Sequence, residues 1–436
     1  MLKKFKIQHS KAKFIDFKFL IFALACVWFG KLAMSSSAYS MTIDEAISLA
    51  EETLPSYKAS IIKIRSSEAL YDASLSPYFP GLDLSVSQKR HYASALQYNT
   101  RVYDLTLSYT IFDGGKRKAD RNIAGLNLDS NREELRKNLL DLGYNVKVAF
   151  YTVIAQGEIL DQRKIQLQDA QKDYEVAEGR YKFGVAKLSD VLQASVRLEQ
   201  ARFNVVQAEG DFKKALSELN SLIGKPLDSR YDIEGSLNLE VKLPDRDQLS
   251  KAALQRPEIK QAENALKISE NNKTLSVSTF YPVISASASY TRTVGGIFMI
   301  SFPEEKAAGI TATWNIFELG KFFKKRSSEM DKDVSLENLN EIKRKFLLDV
   351  YKTYEDLSTA SNKLKVAEQQ LKQAEYNYKQ AFGEYKVGKA DILSLIQAES
   401  QLANAREQMT SSRLNLILSM ALMERVAGVE RIEDLR

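Results

Sequence analysis

Apolar residues recur at alternating spacings of three and four over long stretches of this chain. Leu135, Leu139, Leu142, Val146, Ala149 and Val153 follow that rule. Val191, Ala194, Leu198, Ala201, Val205, Ala208, Phe212, Ala215, Leu219 and Leu222 extend it, and Leu395, Ala398, Leu402, Ala405, Met409, Ser412 and Leu416 repeat it. Such spacing places the apolar groups on one narrow seam of a helix, as coiled-coil packing requires. Many seam positions are alanine, which permits close approach but buries little area each. Stability must therefore come from length and from neighbouring helices. Residues 113–180 hold no proline, and as one helix they would extend roughly 100 Å. Residues 318–384 predict a matching helix, and Gly143 and Gly157 are candidate break points within the first.

Between the helical stretches the period changes to two. Leu82, Leu84 and Val86 alternate with Asp83, Ser85 and Ser87; Tyr103, Leu105, Leu107, Tyr109 and Ile111 alternate with Asp104, Thr106, Ser108 and Thr110. Later, Ile284, Ala286, Ala288 and Tyr290 alternate with serines and Thr291, and Ile310, Ala312, Trp314 and Ile316 alternate with Thr311, Thr313 and Asn315. Four strands with one apolar and one small-polar face suit either a half-buried sheet in water or the wall of a membrane barrel. Aromatic residues near the strand ends (Tyr78, Phe79, Phe280, Tyr281, Trp314, Phe317) and the Ser/Thr-rich second face favour the barrel. Four strands cannot close, and open edges are not tolerated in lipid, so several chains must contribute. Three copies supply twelve strands, although composition does not distinguish three copies from four.

The two periods occur twice. AEGRYKFGVAKLSDVLQA at 177–194 returns as AFGEYKVGKADILSLIQA at 381–398, an offset of 204 without a gap. Leu54-Pro55 answers to Arg256-Pro257, Pro80 to Pro282, and Phe112-Asp113-Gly114-Gly115-Lys116 to Phe317-Glu318-Leu319-Gly320-Lys321. Each half predicts a first helix (39–76; 247–278), a transmembrane strand pair (77–112; 279–317) and a long helical hairpin (113–224; 318–428). A connection at 225–246 and a tail at 429–436 lie outside the repeat. The hairpins reverse at Tyr181-Lys182-Phe183-Gly184 and Tyr385-Lys386-Val387-Gly388. Asp190 and Asp391 fall at the start of the returning helices, where ordinary capping explains either carboxylate more readily than a functional role.

Composition narrows the reading. Eight Pro and 19 Gly in 436 residues are few, in keeping with long uninterrupted elements. Residues 1–38 read as an export signal, with a basic leader, an apolar core from Phe19 to Phe29 and small residues at Ser36-Ser37-Ala38; a retained anchor is the alternative. That segment holds seven Lys and one Asp, so the formal charge of +6 belongs to it. The remainder is neutral, which removes the electrostatic warrant for nucleic-acid binding. Cys26, the only cysteine, lies inside the signal core in a poor context for lipidation. No disulfide or thiolate metal site is then available to the exported chain, and no cofactor is expected. His9 and His91 are the only histidines, the latter expected in a loop between strands. Gly114-Gly115-Lys116 lacks phosphate-loop spacing. These counts argue against an enzyme.

The repeat, the Pro-flanked strand entries Ser76-Pro77-Tyr78-Phe79-Pro80 and Phe280-Tyr281-Pro282, the strand exits and the two Gly turns resemble the TolC-type outer membrane efflux family across nearly all of the exported chain. The resemblance implies a mixed membrane β-barrel and long α-helical coiled-coil barrel: a trimeric channel-tunnel with an internally duplicated protomer. It implies a homotrimer in outer membrane lipid whose helical tube crosses the periplasm. At the tube's mouth it would meet a periplasmic adaptor linked to an inner-membrane pump or secretion ATPase. Residues 181–191 and 385–395 would form that mouth. Asp190, Asp391, Ser394, Gln397 and Lys389 are its candidate polar residues, and Tyr181, Gly184, Tyr385 and Gly388 its turn and adaptor-contact residues. The second copy departs from the family pattern. Ser394 and Gln397 stand where aspartates form a cation-sensitive ring, and Lys389-Ala390 leaves no arginine after the turn. The expected function is passive export of small toxic compounds; a type I protein-secretion duct and a coiled-coil scaffold without a pore are the alternatives.

Overall fold

A computed structural model describes residues 40–93, 96–238, 243–296 and 304–431. The leader at 1–38 and Cys26 lie outside them, as does most of the C-terminal tail. The three–four seams become two antiparallel helical hairpins. In the first, α3 (Lys116–Lys182, 67 residues) returns as α4 (Leu188–Leu222). In the second, α7 (Leu319–Lys386, 68 residues) returns as α8 (Ile392–Ala427). At 1.5 Å per residue each long helix measures about 100 Å, and α3 runs unbroken through Gly143 and Gly157. The predicted seams are the buried lines: Val191, Ala194, Leu198, Ala201, Ala208, Ala215 and Leu219 in α4, and Leu395, Ala398, Leu402, Ala405, Met409 and Leu416 in α8. Ala170 packs on Leu198 and Ala201 as Ala374 packs on Leu402 and Ala405, the same knot 204 residues apart.

Each predicted first helix is in fact two. α1 (Ile43–Thr53) and α2 (Pro55–Ala73) divide at Leu54; α5 (Arg246–Ala253) and α6 (Pro257–Ser278) divide before Arg256. Both prolines occupy a helix start. The ring disfavours helical geometry in the residue before it, and Leu54 and Arg256 are extended accordingly (ψ 119° and 149°). The connection between the halves contributes a strand that the pattern did not announce. β1 (Ser40–Met41) pairs in parallel with β4 (Asp232–Ile233). Beneath them lies the main core, where Met41, Ala46 and Ala50 meet Val146, Phe150 and Leu219.

The four longer strands are β2 (Gly81–Ala93), β3 (Leu96–Phe112), β5 (Val283–Gly295) and β6 (Glu304–Thr313). They form one antiparallel sheet in the order β2-β3-β5-β6. The register puts Leu84, Leu105 and Tyr290 side by side, and likewise Leu82, Leu107, Ala288 and Ala308, giving one apolar face. The other face is lined by small polar groups, with Asp104 accepting from Thr291 (2.6 Å) and Thr106 (2.7 Å). Every residue of β6 is exposed, and Leu82, Leu84, Val86 and Ile310 stand uncovered on the apolar side. The outer edges of β2 and β6 carry no strand among the described residues.

Two expectations need correction. His91 is not in a loop: it lies in β2 opposite Tyr98, stacked on that ring at 4.5 Å and 3.0 Å from the Thr100 hydroxyl, because the hairpin turns later than the alternation suggested. The last strand ends at Thr313, so Trp314 and Ile316 lie beyond it. There the indole N–H of Trp314 donates to the Phe280 carbonyl (3.0 Å), pinning the exit to the strand entry. The strand-to-helix exits are held by cations. Arg117 donates to the carbonyls of Pro77 (3.1 Å), Thr110 (2.8 Å) and Ile111 (3.1 Å) and to Asp113 (3.0 Å). Buried Lys321 donates to the carbonyls of Thr279 (2.7 Å) and Asn315 (2.8 Å). Arg117→Met strips three carbonyls of a charged donor and is expected to cost about 2–3 kcal/mol, read as a lowered denaturation midpoint; Lys cannot bridge the same fan, so Arg117→Lys should recover only part.

Candidate functional site: the hairpin tips

The two reversals are built alike. Gly184 (φ 75°) and Gly388 (φ 80°) follow the ends of α3 and α7 in left-handed geometry that only glycine adopts without strain. The next amide donates back into the helix: Val185 to the Arg180 carbonyl (3.0 Å) and Lys389 to the Glu384 carbonyl (2.9 Å). This is the Schellman closure that satisfies the last carbonyls of a helix. The sharpness of both turns follows from it, and so does the antiparallel return.

The returning helices begin on carboxylates. Asp391 is the N-cap of α8, accepting from the Ser394 amide (2.9 Å) and hydroxyl (2.6 Å). Those two bonds, the hydroxyl first, hold its carboxyl below the usual aspartate range. Asp190 sits in the first turn of α4 and accepts from the Lys187 amide (3.4 Å). Ser394 is therefore occupied by Asp391, whereas Gln397 and Lys389 are exposed. Tyr181 is exposed as well, but Tyr385 is only 1% exposed, packed with Ile392 and Leu395. Of the residues read as an outer contact surface, Tyr385 thus faces inward and holds its turn from within. Phe183 (86% exposed), Val185 and Val387 are the uncovered apolar groups at the tips.

What joins the two tips is a set of side chains that the sequence reading passed over. Arg180 of α3 donates to the Tyr385 carbonyl, and its guanidinium lies 4.6 Å from the centre of the Tyr385 ring. The cation that meets the second turn thus comes from the other hairpin. Further from the tip, Arg197 of α4 pairs with Glu399 of α8 (3.2 Å) and Arg163 of α3 with Glu407 of α8 (2.7 Å). Gln162 donates to buried Thr410 (2.9 Å). A signal for these residues was present: Arg180, Arg197 and Glu399 answer to Glu384, Gln401 and Ser195 in the other copy. At these three positions a difference in charge between the copies coincides with a contact between them. Among the described residues no group of His, Cys, Asp and Glu could hold a metal ion, and no helix is long and apolar enough to cross a membrane.

The Arg180 contact joins a charged hydrogen bond to a cation–π contact, together worth about 1–2 kcal/mol where partly exposed. Arg180→Ala is expected to raise amide exchange around 385–392 about tenfold or more, with Arg180→Lys intermediate. Exchange unchanged in both would show that the contact does not hold the tips.

The model of the family described as outer membrane efflux protein matches this chain twice, over residues 46–225 and 248–428. Protein CyaE of Bordetella pertussis is 29% identical over 184 residues, a stretch covering 41% of this chain and 39% of that relative. The chain thus spans about two fifths of CyaE's length. Outer membrane protein TolC of Escherichia coli K12 is 20% identical over 442 residues, covering 93% of this chain and 86% of TolC. The crystal structure of the Campylobacter jejuni CmeC outer membrane channel shares the fold with a TM-score of 0.78 at 16% identity, covering 97% of this chain and 94% of that one. With the family matched in each half, this chain belongs to the outer membrane efflux proteins.

Proposed function

We propose that three copies of this chain form a passive export conduit through the outer membrane, extended across the periplasm by the helical hairpins. The observation that carries the reading is the uncovered four-stranded sheet standing on helices of about 100 Å. Its apolar face suits lipid and its Ser/Thr/Asp104 face suits water. Its two bare edges demand pairing in hydrocarbon, where every unsatisfied backbone group is costly. Joining β6 of one copy to β2 of the next, three times over, closes a twelve-stranded wall. The equal element order of the two halves supports descent from one duplicated unit, so that the helical wall has near-sixfold packing.

The tips then form the periplasmic mouth. Asp190, Asp391, Ser394, Gln397 and Lys389 set its polarity, repeated once per copy. Tyr181 and the turns at Gly184 and Gly388, with Phe183, Val185 and Val387, present the surface for a periplasmic adaptor, which links the duct to an energised inner-membrane transporter. The cargo is driven from that partner. Small toxic compounds are the proposed cargo.

Planar-bilayer recording of the purified trimer tests the conduit directly. Stable cation-preferring channels are expected, and folded trimers that never conduct would overturn the reading. The Ser394 bonds keep Asp391 ionised as pH falls toward the ordinary aspartate range, so its share of cation preference should persist in mildly acidic solution. Asp391→Asn and Asp190→Asn should each shift the reversal potential toward neutrality; unchanged selectivity in both would remove them from the mouth. A deletion strain should become sensitive to toxic small molecules. Unchanged resistance together with retained secreted protein would favour the secretion duct instead.

A further inference from the structure

Near the tips, two buried carboxylates and a half-buried arginine lie where the hairpins meet: Asp173 on α3, Glu399 on α8 and Arg197 on α4. Asp173 and Glu399 are each 4% exposed. Arg197 donates through Nε to Glu399 Oε2 (3.2 Å). Its Nη2, the second Glu399 oxygen and both Asp173 oxygens are buried without a hydrogen-bond partner among the described residues. Glu399 is thus bonded to the guanidinium through one oxygen, and Asp173 through none. A buried carboxylate with neither oxygen bonded is costly in its charged form and far less so when protonated.

The surroundings of Asp173 come from four helices. The charges of Asp169 and Lys172 on α3, Arg197 on α4 and Glu399 on α8 all act on it. On α7, Tyr378 and Tyr385 both feel its charge, and Arg406 of α8 acts on Tyr378. Burial first, then the Glu399 and Asp169 carboxylates, outweigh Arg197 and Lys172 and push the Asp173 carboxyl up to about 7. Burial also raises Glu399, against the pull of Arg197. The second copy offers a built-in contrast. At the positions 204 residues on, Asn377 donates to Gln401 (3.0 Å), a neutral and satisfied pair in place of Asp173 and Arg197.

We infer that Asp173, seated against the Arg197–Glu399 pair, is a proton-binding site that locks the two hairpins together when occupied and loosens them when empty. The ligand is the proton itself. Packed hairpins hold it more tightly than a loosened tip in which water reaches Asp173. The raised carboxyl therefore stabilises the packed form fully below the ordinary aspartate range. That stabilisation is lost as pH rises toward about 7 and changes no further above it. The ratio of packed to loosened tips falls by at most about tenfold per pH unit across that window. With the tips as the mouth of a duct, a meaning that rests on the proposed function, acid in the periplasm would favour the closed arrangement.

Amide exchange of the intact purified assembly, corrected for intrinsic rates, tests this without recourse to conductance. Between about pH 5 and about pH 8, the tip segments around 170–200 and 390–402 should lose protection by about tenfold or more. Asp173→Asn, which cannot lose a proton, should stay as protected at the higher pH as at the lower, and Asp173→Glu should restore the response. Glu399→Gln leaves Arg197 to Asp173, so the response should move to lower pH. A wild-type tip indifferent to pH, or the same response in Asp173→Asn, overturns the inference. Absence of conductance with the exchange pattern intact would count only against the conduit.

Discussion

Along both hairpins the helices meet over alanine. Ala170 packs on Leu198 and Ala201, and Ala374 on Leu402 and Ala405, while Ala177, Ala194 and Ala208 of the first hairpin and Ala367, Ala381 and Ala398 of the second are also buried. Small side chains let the backbones approach closely, and each contact removes little apolar surface from water. The strength of the hairpin is therefore cumulative and scales with its length. The main core sits at the other end, where Phe150, Val146 and Leu219 are buried with Met41. At the tips Phe183, Val185 and Val387 are uncovered, and a few polar contacts join the two hairpins. Local opening at low free-energy cost is expected in such places.

The sheet obeys a different constraint. The inner strands β3 and β5 are paired on both sides, with a bulge between Thr110 and Phe112, whereas β2 and β6 are each paired on one side only among the described residues. A chain whose apolar residues point outward on one face and whose strands end in bare edges is an unfinished object. In the proposed assembly, lipid covers that face and further copies pair with the edges. The cation fans at Arg117 and Lys321 make the transition from this layer to the helices rigid. The tips are consequently aligned with the strands by covalent and charged contacts rather than by loops.

The two copies are alike in backbone and unlike in charge. Their turns close through the same bonds and their alanine knots coincide, yet Asp173, Arg180, Arg197 and Glu399 have no charged counterpart of the same sign in the other copy. Identical hairpins would meet as equals. The substitutions give one hairpin the cation and the other the carboxylate, and leave a spare acid between them. The specificity of the contact lies in that asymmetry, and so does its sensitivity to protons.

The sequence by itself determined the helices, the strand faces and the sharp reversals, because period, proline absence and positive-φ glycine act locally. Most of the seam residues it named, from Val191 to Leu416, are buried, since burial along a coiled coil follows spacing, while Val205, Phe212 and Leu222 are only half-buried. It misplaced His91 and the end of the last strand, because alternation does not say where a hairpin turns or where pairing stops; the partner strand does. It divided neither first helix, although Pro55 and Pro257 carried the signal. At the tips it named Asp190, Asp391 and the glycines, each readable from its own neighbourhood. Tyr385 facing inward, Arg180 reaching across and the Asp173 cluster were decided only by tertiary structure. Their partners lie some two hundred residues away, and whether a charge is paired, stranded or solvated depends on what folding brings against it.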